Sequence, residues 1–445
     1  MSALQEPLER YRMLLDAAAP NLPGREIAWL ATQRAAATQQ LLQSGFPTRK
    51  TEAWRYTSLD RVLEPAWEVP RQYGAALDIG EYTLSDDAAA RLVFVNGHWV
   101  AELSSTHALP EGVYMGSLRT ALEVMPDTVA TWLENSAAMR LSAFTALNTA
   151  LLDDGVWLHI SAGTKLTTPI ELLHVCIAQD ATPTAQLRNV IVLDDGAEAM
   201  LLEQYTGIGE APSFTNSLTE IRLGRHARLE HARLQDEGPS ARHLSYVCLH
   251  QQAHSRYRGL SMSLGGLWSR SEYHNRMCEQ HTQFELDGLY IAGGHQLSDV
   301  HLAITHAVPH CTSRERFKGI VLGQGRAVFD GRIRVEQDAQ KSAAELHNAN
   351  LLLSRTAEID TKPQLEIYAD DVKCSHGTSI GQLEPAQLFY LRSRGIGLDA
   401  ARRLLCQGFV MEILEGWHIP ALHTRVAQRL DRLLAETPQA DSDPH

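Results

Sequence analysis

Two side chains with metal-binding chemistry, Cys374 and His376, lie two positions apart in the carboxyl-terminal part of the chain. Residues i and i+2 of an extended strand share a face and lie about 6.5–7 Å apart. A thiolate and an imidazole form a soft-to-borderline pair of ligands for a transition-metal ion. Because two ligands do not complete a tetrahedral shell, neighbouring strands or another protein must supply the rest. Judged by spacing alone, this Cys–His pair (Cys374 and His376) is better explained as a buried thiol beside a surface histidine.

The segment that leads into the Cys–His pair has the pattern of a strand. Apolar and polar residues alternate over 365–370, which is typical of a half-buried strand. Continuing that alternation would place Asp371 and Lys373 in the core. We therefore expect the strand to end or bulge near Asp370, which leaves the Cys–His pair at a terminus or an edge of a sheet.

A second group of candidate ligands is a short stretch that contains His295, His301, His306, His310 and Cys311. On a strand, His306 and His310 would share a face and His301 would lie on the opposite one. Metal binding by this stretch competes with a simpler explanation, because 20 histidines in one chain will cluster by chance. Structural or solvent-exposed roles are therefore favoured for these histidines.

Two other segments contain polar or aromatic residues of interest. His347 precedes an apolar run and is expected at the same edge as His376, with Asn350 stacked inside a turn. Residues 48–57 are dense in basic and aromatic side chains. We interpret them as a surface loop whose Trp54 and Tyr56 fill a hydrophobic seam rather than as a ligand site.

Several strong enzyme motifs are absent from the sequence. It contains no G-x-x-x-x-G-K-[ST] and no H-E-x-x-H, and no G-x-G-x-x-G follows a strand. Nucleotide hydrolysis through a P-loop and zincin-type proteolysis are therefore unsupported.

Composition limits the partners and the compartment. The 445 residues carry a formal net charge of −13, which argues against nucleic acid as the main partner. The six cysteines are widely spaced and form no C-x-x-C motif, so reduced thiols are expected. The amino terminus lacks the pattern of a signal peptide, and no apolar run is long enough to span a membrane. A cytoplasmic protein is the expectation.

The helical and strand patterns divide the chain into regions. A β-hairpin is predicted over 91–100, because Asn96–Gly97 supplies the positive φ of a type I′ turn. Short runs rich in Val, Ile, Leu and Thr follow from Gly155 to about residue 380. Helical patterns are predicted over 4–17, 25–44, 119–152, 384–396, 398–416 and 421–435. The predicted regions are a mostly helical amino-terminal domain with a hairpin (1–145), a β core (146–382), a helical domain (383–436) and a disordered tail (437–445).

The β core shows a weak internal repeat. Segments 199–203, 226–230, 326–330 and 356–360 share a small–x–apolar–acidic pattern at intervals of about 30 residues. A repeat of that length is typical of a parallel β-helix, in which stacked turns bury one continuous core. A β-sandwich is the alternative and would need no such repeat.

Several segments resemble the SufB/SufD family of iron–sulfur cluster assembly proteins. The most specific block is 365–378, L-E-I-Y-A-D-D-V-K-C-S-H-G-T, supported by 351–363 and by F-Y-L-R-S-R-G at 389–395. Further similarity includes residues 144–170. The segment F-P…E-A-W-R-Y-T within 46–57 and the lack of a cysteine-rich insertion resemble the SufD members more than the SufB members. Single positions that also fit are His306, Pro309, Cys311, Ser313 and Gly331.

The resemblance implies a mainly β fold, with a right-handed parallel β-helix core flanked by amino-terminal and carboxyl-terminal helical domains. It also implies a non-ATPase scaffold subunit in a complex with SufB and the ATPase SufC. His376 matches the histidine assigned in the family to a transient iron or cluster site at the SufB interface, with Cys374 beside it, and SufB would complete the ligands. The carboxyl-terminal helices would dock on SufC. The residues expected in that contact are Phe389, Tyr390, Leu391, Arg392, Arg394 and Gly395.

Three points remain open at the level of sequence. Some complexes of the family are associated with reduced flavin, but the sequence contains no flavin motif. A β-helix enzyme that acts on polysaccharide would need convergent carboxylates, and alternation points Asp370 and Asp371 apart. A purely structural subunit is the third hypothesis, and exposed edge strands would then favour a homodimer of the isolated chain.

Overall fold

The structure, a computed structural model, describes residues 5–70, 77–106, 109–134, 136–179 and 181–436. Its α-helices are α1 (Gln5–Ala18), α2 (Ala28–Ser44), α3 (Asp60–Leu63), α4 (Leu118–Val124), α5 (Pro126–Leu133), α6 (Ala143–Ala150), α7 (Pro385–Ser393), α8 (Leu398–Leu414) and α9 (Pro420–Glu436). Its strands are β1 (Ala90–Val95), β2 (His98–Trp99), β3 (Val113–Ser117), β4 (Val156–Ile160), β5 (Ile170–Ile177), β6 (Thr184–Leu193), β7 (Glu198–Ile208), β8 (Ser213–Leu223), β9 (Arg228–Asp236), β10 (Ala241–Gln251), β11 (Arg256–Ser263), β12 (Trp268–Met277), β13 (Gln283–Ala292), β14 (Leu297–His306), β15 (Thr312–Val321), β16 (Arg326–Val335), β17 (Ala343–Leu352), β18 (Glu358–Ile367) and β19 (Lys373–Gly381).

The strands form a parallel β-solenoid, which confirms the fold class predicted from the sequence. Successive strands alternate between two sheets, so β5, β7 and the later odd-numbered strands up to β19 stack in one sheet, and β4, β6 and the later even-numbered strands up to β18 stack in the other. Each turn of the solenoid therefore contributes one strand to each sheet. The stacked turns bury one continuous apolar core between the sheets.

The repeat length inferred from the sequence is close, but its phase is wrong. Segment 199–203 pairs with 229–233 rather than with 226–230, and 326–330 pairs with 358–362 rather than with 356–360. Residues in register are about 30 positions apart, as in the pairing of Leu346 with His376. The loops between strands vary in length. Segments with a similar sequence pattern are therefore not always the segments that pair in the sheet.

Amino-terminal elements extend both sheets. The hairpin β1–β2 turns at Asn96 (φ 49°) and Gly97 (φ 87°), as predicted, and β1 pairs in parallel with β5. β3 pairs with β4 in the other sheet. The predicted helical patch at 119–152 is divided among α4, α5 and α6. The proposed division into domains at residues 145 and 382 stays a prediction.

Residues 48–57 join the amino-terminal region to the sheet of even-numbered strands. Trp54 is buried in a cluster with Phe144 and Trp268, as the interpretation of a filled seam requires. The guanidinium of Arg270 lies 3.9 Å from the Trp54 ring centroid and donates to Asp299 (Nη1–Oδ2, 2.6 Å). This segment therefore holds the amino-terminal part of the chain against the solenoid.

The carboxyl-terminal helices α8 and α9 cover the outer face of the other sheet. Their buried residues pack on Leu260, Leu289 and Ile320, among others. The buried face of α8 consists of Ala401, Cys406, Val410, Ile413 and Leu414. The described helices include none that is both long and apolar enough to cross a membrane. The predicted disordered tail at 437–445 lies outside the described residues.

Candidate functional site

The Cys–His pair lies at an open end of the solenoid. The strand predicted before it ends at Ile367, as β18, and β19 begins at Lys373. β19 is the outermost strand of its sheet, and β18 is the outermost strand of the other. The expected break near Asp370 and the position of Cys374 and His376 at a sheet edge are therefore confirmed.

The side chains of the pair lie on one face of β19. Cys374 is in register with Ala344 and His376 with Leu346, and both of these partners in β17 are buried. The pair thus continues the inward-facing rows of the solenoid, but no further turn of the described chain covers it. His376 is exposed and Cys374 is half-buried, so a molecule that docks on this end can reach both.

The thiol and the imidazole offer an incomplete ligand set. Among the described residues, no three His, Cys, Asp or Glu side chains are arranged to hold a metal ion. Burial raises the pKa of Cys374, an effect that the Ala344 amide partly offsets. The isolated chain therefore keeps this thiol protonated at neutral pH, and a metal ion or a neighbouring cation would favour its ionisation.

The end that surrounds the pair exposes apolar side chains. Ile367 is 43% exposed, Tyr368 57% and Ile380 48%. Earlier turns bury equivalent positions under the next turn, as for Val335, which pairs with Ile367. An unpaired strand edge flanked by exposed apolar residues is typical of a surface that another chain covers.

A groove of about 510 Å³ leads to Cys374 across the beginnings of β13, β15, β17 and β19. Its lining includes Glu285 and Arg314, which form an ion pair (Oε2–Nη2, 2.5 Å), and Glu345 on the next strand. The groove therefore provides both signs of charge beside the thiol.

Two turns inside the solenoid, a buried acid lies in the same row as His376. Glu315 is in register with Leu346, which is in register with His376. Neither carboxylate oxygen of Glu315 makes a hydrogen bond of normal geometry with the described residues. Burial raises the pKa of Glu315 to about 8, and nearby Ser313 partly offsets this. Ser313 Oγ also lies 3.0 Å from Nε2 of His306, whose pKa burial lowers to about 4.

Sequence analysis did not identify Glu315. The signal was present, because Glu315 has the same strand parity as the inward-facing Ser313 and Phe317. An acidic residue at a position that alternation assigns to the core is a candidate for a perturbed pKa.

The structure does not bring the predicted histidine stretch together. β14 ends at His306, which points into the core, whereas His310 lies exposed in the following turn. The expectation that these two share a strand face is therefore wrong. His301 faces outward and contacts Asp299 (Nε2–Oδ1, 2.8 Å).

His347 lies on β17, one strand inside the edge, where it is in register with Gly377. It is exposed on the face opposite to His376, so the two histidines do not form one site. Asn350 is buried as expected and bonds to Asn348 (Nδ2–Oδ1, 2.7 Å).

The residues expected to contact an ATPase lie on and after α7, which projects from the solenoid. Every residue of α7 is exposed or half-buried. Phe389 is 75% exposed and Tyr390 58%. The Arg394 guanidinium lies 5.4 Å from the Tyr390 ring centroid, and Gly395 (φ 85°) ends the helix. Leu391 is half-buried and Arg392 is exposed. α7 therefore presents an aromatic and basic surface to solvent.

Helical periodicity over 398–416 predicts an apolar stripe of Ala400, Leu404, Leu405, Phe409, Ile413 and Leu414. The structure displaces that stripe around α8. Leu404, assigned to that stripe, is 50% exposed, whereas Cys406 and Val410 are buried. The sheet against which α8 packs selects the buried face, and helical periodicity alone does not include those distant strands. The exposed Leu404 adds apolar area beside the α7 region.

Two protein-family models match the chain. The model described as "SufBD protein N-terminal region" matches residues 6–172. The model described as "SUF system FeS cluster assembly, SufBD core domain" matches residues 175–409. Together they span the solenoid, the amino-terminal elements, α7 and most of α8.

Individual relatives match over most of their length. The chain is 33% identical over 403 residues to "Iron-sulfur cluster assembly protein SufD" of Escherichia coli (strain K12), which covers 89% of this chain and 91% of the relative. It is 33% identical over 416 residues to "Iron-sulfur cluster assembly SufBD family protein slr0076" of Synechocystis, with 91% of each covered. It is also 30% identical over 394 residues to "Protein ABCI7, chloroplastic" of Arabidopsis thaliana, covering 86% of this chain and 81% of that protein.

Proposed function

The chain belongs to the SufBD family of iron–sulfur cluster assembly proteins, and on that premise we propose that it is a SufD-type scaffold subunit. It assembles in the cytoplasm with SufB and the ATPase SufC. It hydrolyses no nucleotide itself and supplies part of a transient site for iron or a nascent cluster. Iron and the cluster are cargo of the complex rather than resident cofactors of this chain.

The observation that carries the proposal is the incomplete ligand pair on an uncovered strand edge. Two ligands left uncovered at the end of a sheet gain their function when a second subunit adds the rest. The exposed Ile367, Tyr368 and Ile380 provide apolar area for that subunit. SufB, seated against β18 and β19, would supply further thiolate or carboxylate ligands.

α7 supports the assignment of SufC as the second partner. Its exposed Phe389 and Tyr390 are of the type that dominates protein interfaces, and Arg392 and Arg394 add positive charge. In the complex, ATP-driven movement of SufC would act on this chain through α7. This movement would then change the geometry of the shared site.

The test is complementation of cells that lack the endogenous subunit, grown under iron limitation. The His376→Ala variant should form the complex with SufB and SufC yet fail to restore cluster-dependent enzymes. Ser379→Ala is the matched control, because Ser379 is exposed on the opposite face of the same strand. Full activity of His376→Ala would contradict the assigned site and would leave the chain with a purely structural role.

A further inference from the structure

Four histidines form a stacked column along one corner of the solenoid. His226, His254, His281 and His310 lie in equivalent turns of consecutive coils, and all are exposed. Adjacent ring centroids are 4.8, 4.7 and 5.0 Å apart, and the rings are within 14° of parallel. We call this set the histidine ladder.

The backbone of this corner does not itself require histidine. The ladder residues have φ of 60–62°, a left-handed conformation that glycine adopts most readily. The same column holds Gly196 (φ 70°) one turn before the ladder and Lys341 (φ 61°) one turn after it. Backbone hydrogen bonds link these turns, as from Gly196 N to Arg225 O at 2.7 Å. The backbone conformation therefore does not account for histidine at these four positions, and the explanation lies in the chemistry of the imidazole side chain.

We propose that the histidine ladder binds divalent transition-metal ions, each ion held between the rings of two neighbouring turns. Neutral imidazole is a ligand suited to Fe²⁺, Co²⁺, Ni²⁺ and Zn²⁺. With metal–nitrogen distances of about 2.1 Å, the two ligand nitrogens must lie roughly 3–3.4 Å apart. Stacked rings 4.7–5.0 Å apart reach this separation by tilting about χ2, which is a soft torsion in histidine.

The surroundings of the ladder favour a bound cation. Cys278 is exposed in the same turn as His281. The Glu279 carboxylate accepts a hydrogen bond from the Ala253 amide (2.8 Å), which places it beside His254. Lys341, next in the column, is paired with Asp371.

The ladder is a row of paired ligands rather than a closed cage. Among the described residues, no three donors already converge on one point, so water completes each shell. Each bound ion therefore requires two neighbouring histidine rings. This requirement distinguishes metal binding from a stack of rings that has only a structural role.

The test compares two variants of the full chain that keep the same number of ladder histidines. His281→Asn with His310→Asn leaves His226 and His254, whose centroids are 4.8 Å apart. His254→Asn with His310→Asn leaves His226 and His281, two turns apart, at about twice the strand spacing of ~4.8 Å. Asparagine tolerates the left-handed conformation, so both variants keep the fold.

Binding of Ni²⁺ is measured by equilibrium dialysis and by titration calorimetry, with His376→Ala as the background. The variant with adjacent rings should bind one ion with an affinity close to that of the parent, and the variant with separated rings should bind at least tenfold more weakly. A triple His295→Asn, His347→Asn, His418→Asn variant, which changes exposed histidines outside the ladder, should bind as the parent does.

Equal binding by the two ladder variants, or loss of binding in the triple variant, would overturn the proposal. The readout involves neither SufB, SufC nor cluster assembly. Failure of the ladder and failure of the proposed function are therefore distinguishable.

Discussion

At the scale of the residue, the chemistry of this chain depends on whether the last turns of the solenoid bury a side chain or leave it exposed. His376 is exposed because β19 ends its sheet, whereas Glu315, two strands inward in the same row, is fully buried. The Cys–His pair could be identified only when the resemblance was added, because its spacing alone is a weak signal. Strand parity already indicated an inward-facing Glu315, and the register shows its burial by placing it between Leu286 and Leu346.

Glu315 predicts a pH-dependent stability. Its pKa is about 8 in the folded chain against an ordinary value of 4.5. Its contribution to stability is therefore fully present below pH 4.5 and is lost as the pH rises to 8, by up to ~5 kcal/mol. Glu315→Gln should remove this loss, so the variant is more stable than the parent at pH 8 and approaches it near pH 5.

Urea unfolding at pH 5 to 9 measures this difference. Glu123→Gln, at an exposed position on α4, serves as the control and should follow the parent. Parallel stability profiles for the parent and Glu315→Gln would show that the carboxyl is not held in its protonated form.

At the scale of the element, the amino-terminal segment and α7 are attached to the solenoid in opposite ways. Residues 48–57 are held by the buried Arg270, which stacks on Trp54 and donates to the Ala53 carbonyl. In contrast, no residue of α7 is buried. Helical periodicity in the sequence located α7, α8 and α9 at the carboxyl end, but it misassigned the buried face of α8. The sheet that selects this face is made of distant strands that a local pattern does not include.

Arg270 should be critical for holding the amino-terminal segment. It is fully buried, donates to Asp299 and Glu272, and donates to the Ala53 carbonyl at 2.9 Å. Arg270→Met leaves two buried carboxylates without their cation, so the free energy of unfolding should fall by about 3–5 kcal/mol. Arg314→Met, which breaks the more exposed pair with Glu285, should cost about 1 kcal/mol or less. Equal losses in urea unfolding would refute this distinction.

α7 should bind its partner without stabilising the fold. The double change Phe389→Ser, Tyr390→Ser removes exposed aromatic area, so binding to SufC measured by calorimetry should weaken at least tenfold. The thermal midpoint should stay unchanged, because surface substitutions usually alter stability by no more than about 0.5 kcal/mol. Val124→Ser, at another strongly exposed apolar position, is the control. Undiminished SufC binding would exclude α7 as the contact.

At the scale of the whole molecule, the helices that follow the proposed partner surface of α7 cover one sheet of the solenoid. α8 and α9 bury Leu260, Leu289 and Ile320 on the sheet of odd-numbered strands. The sequence indicated a solenoid between two helical regions, and the structure confirms that order. The sequence did not reveal that α6 and the α8–α9 pair cover opposite sheets, because this depends on the alternation of strands between sheets.

Removal of residues 384–445 should therefore do more than abolish partner binding. The truncated chain exposes the apolar face under α8 and α9, and we expect it to associate into large species in light scattering. The Phe389→Ser, Tyr390→Ser chain should remain as monodisperse as the parent. A well-behaved truncated chain would show that the two helices contribute little to the core.

The central claim is that this chain provides part of a shared coordination site at its open end. The most direct measurement is the iron content of the three-subunit complex purified without oxygen, compared among the parent, His376→Ala and Ser379→Ala. We predict equal subunit stoichiometry in all three, iron retained in the parent and in Ser379→Ala, and at least a tenfold loss in His376→Ala. Iron retained at the parental level in His376→Ala would contradict the account.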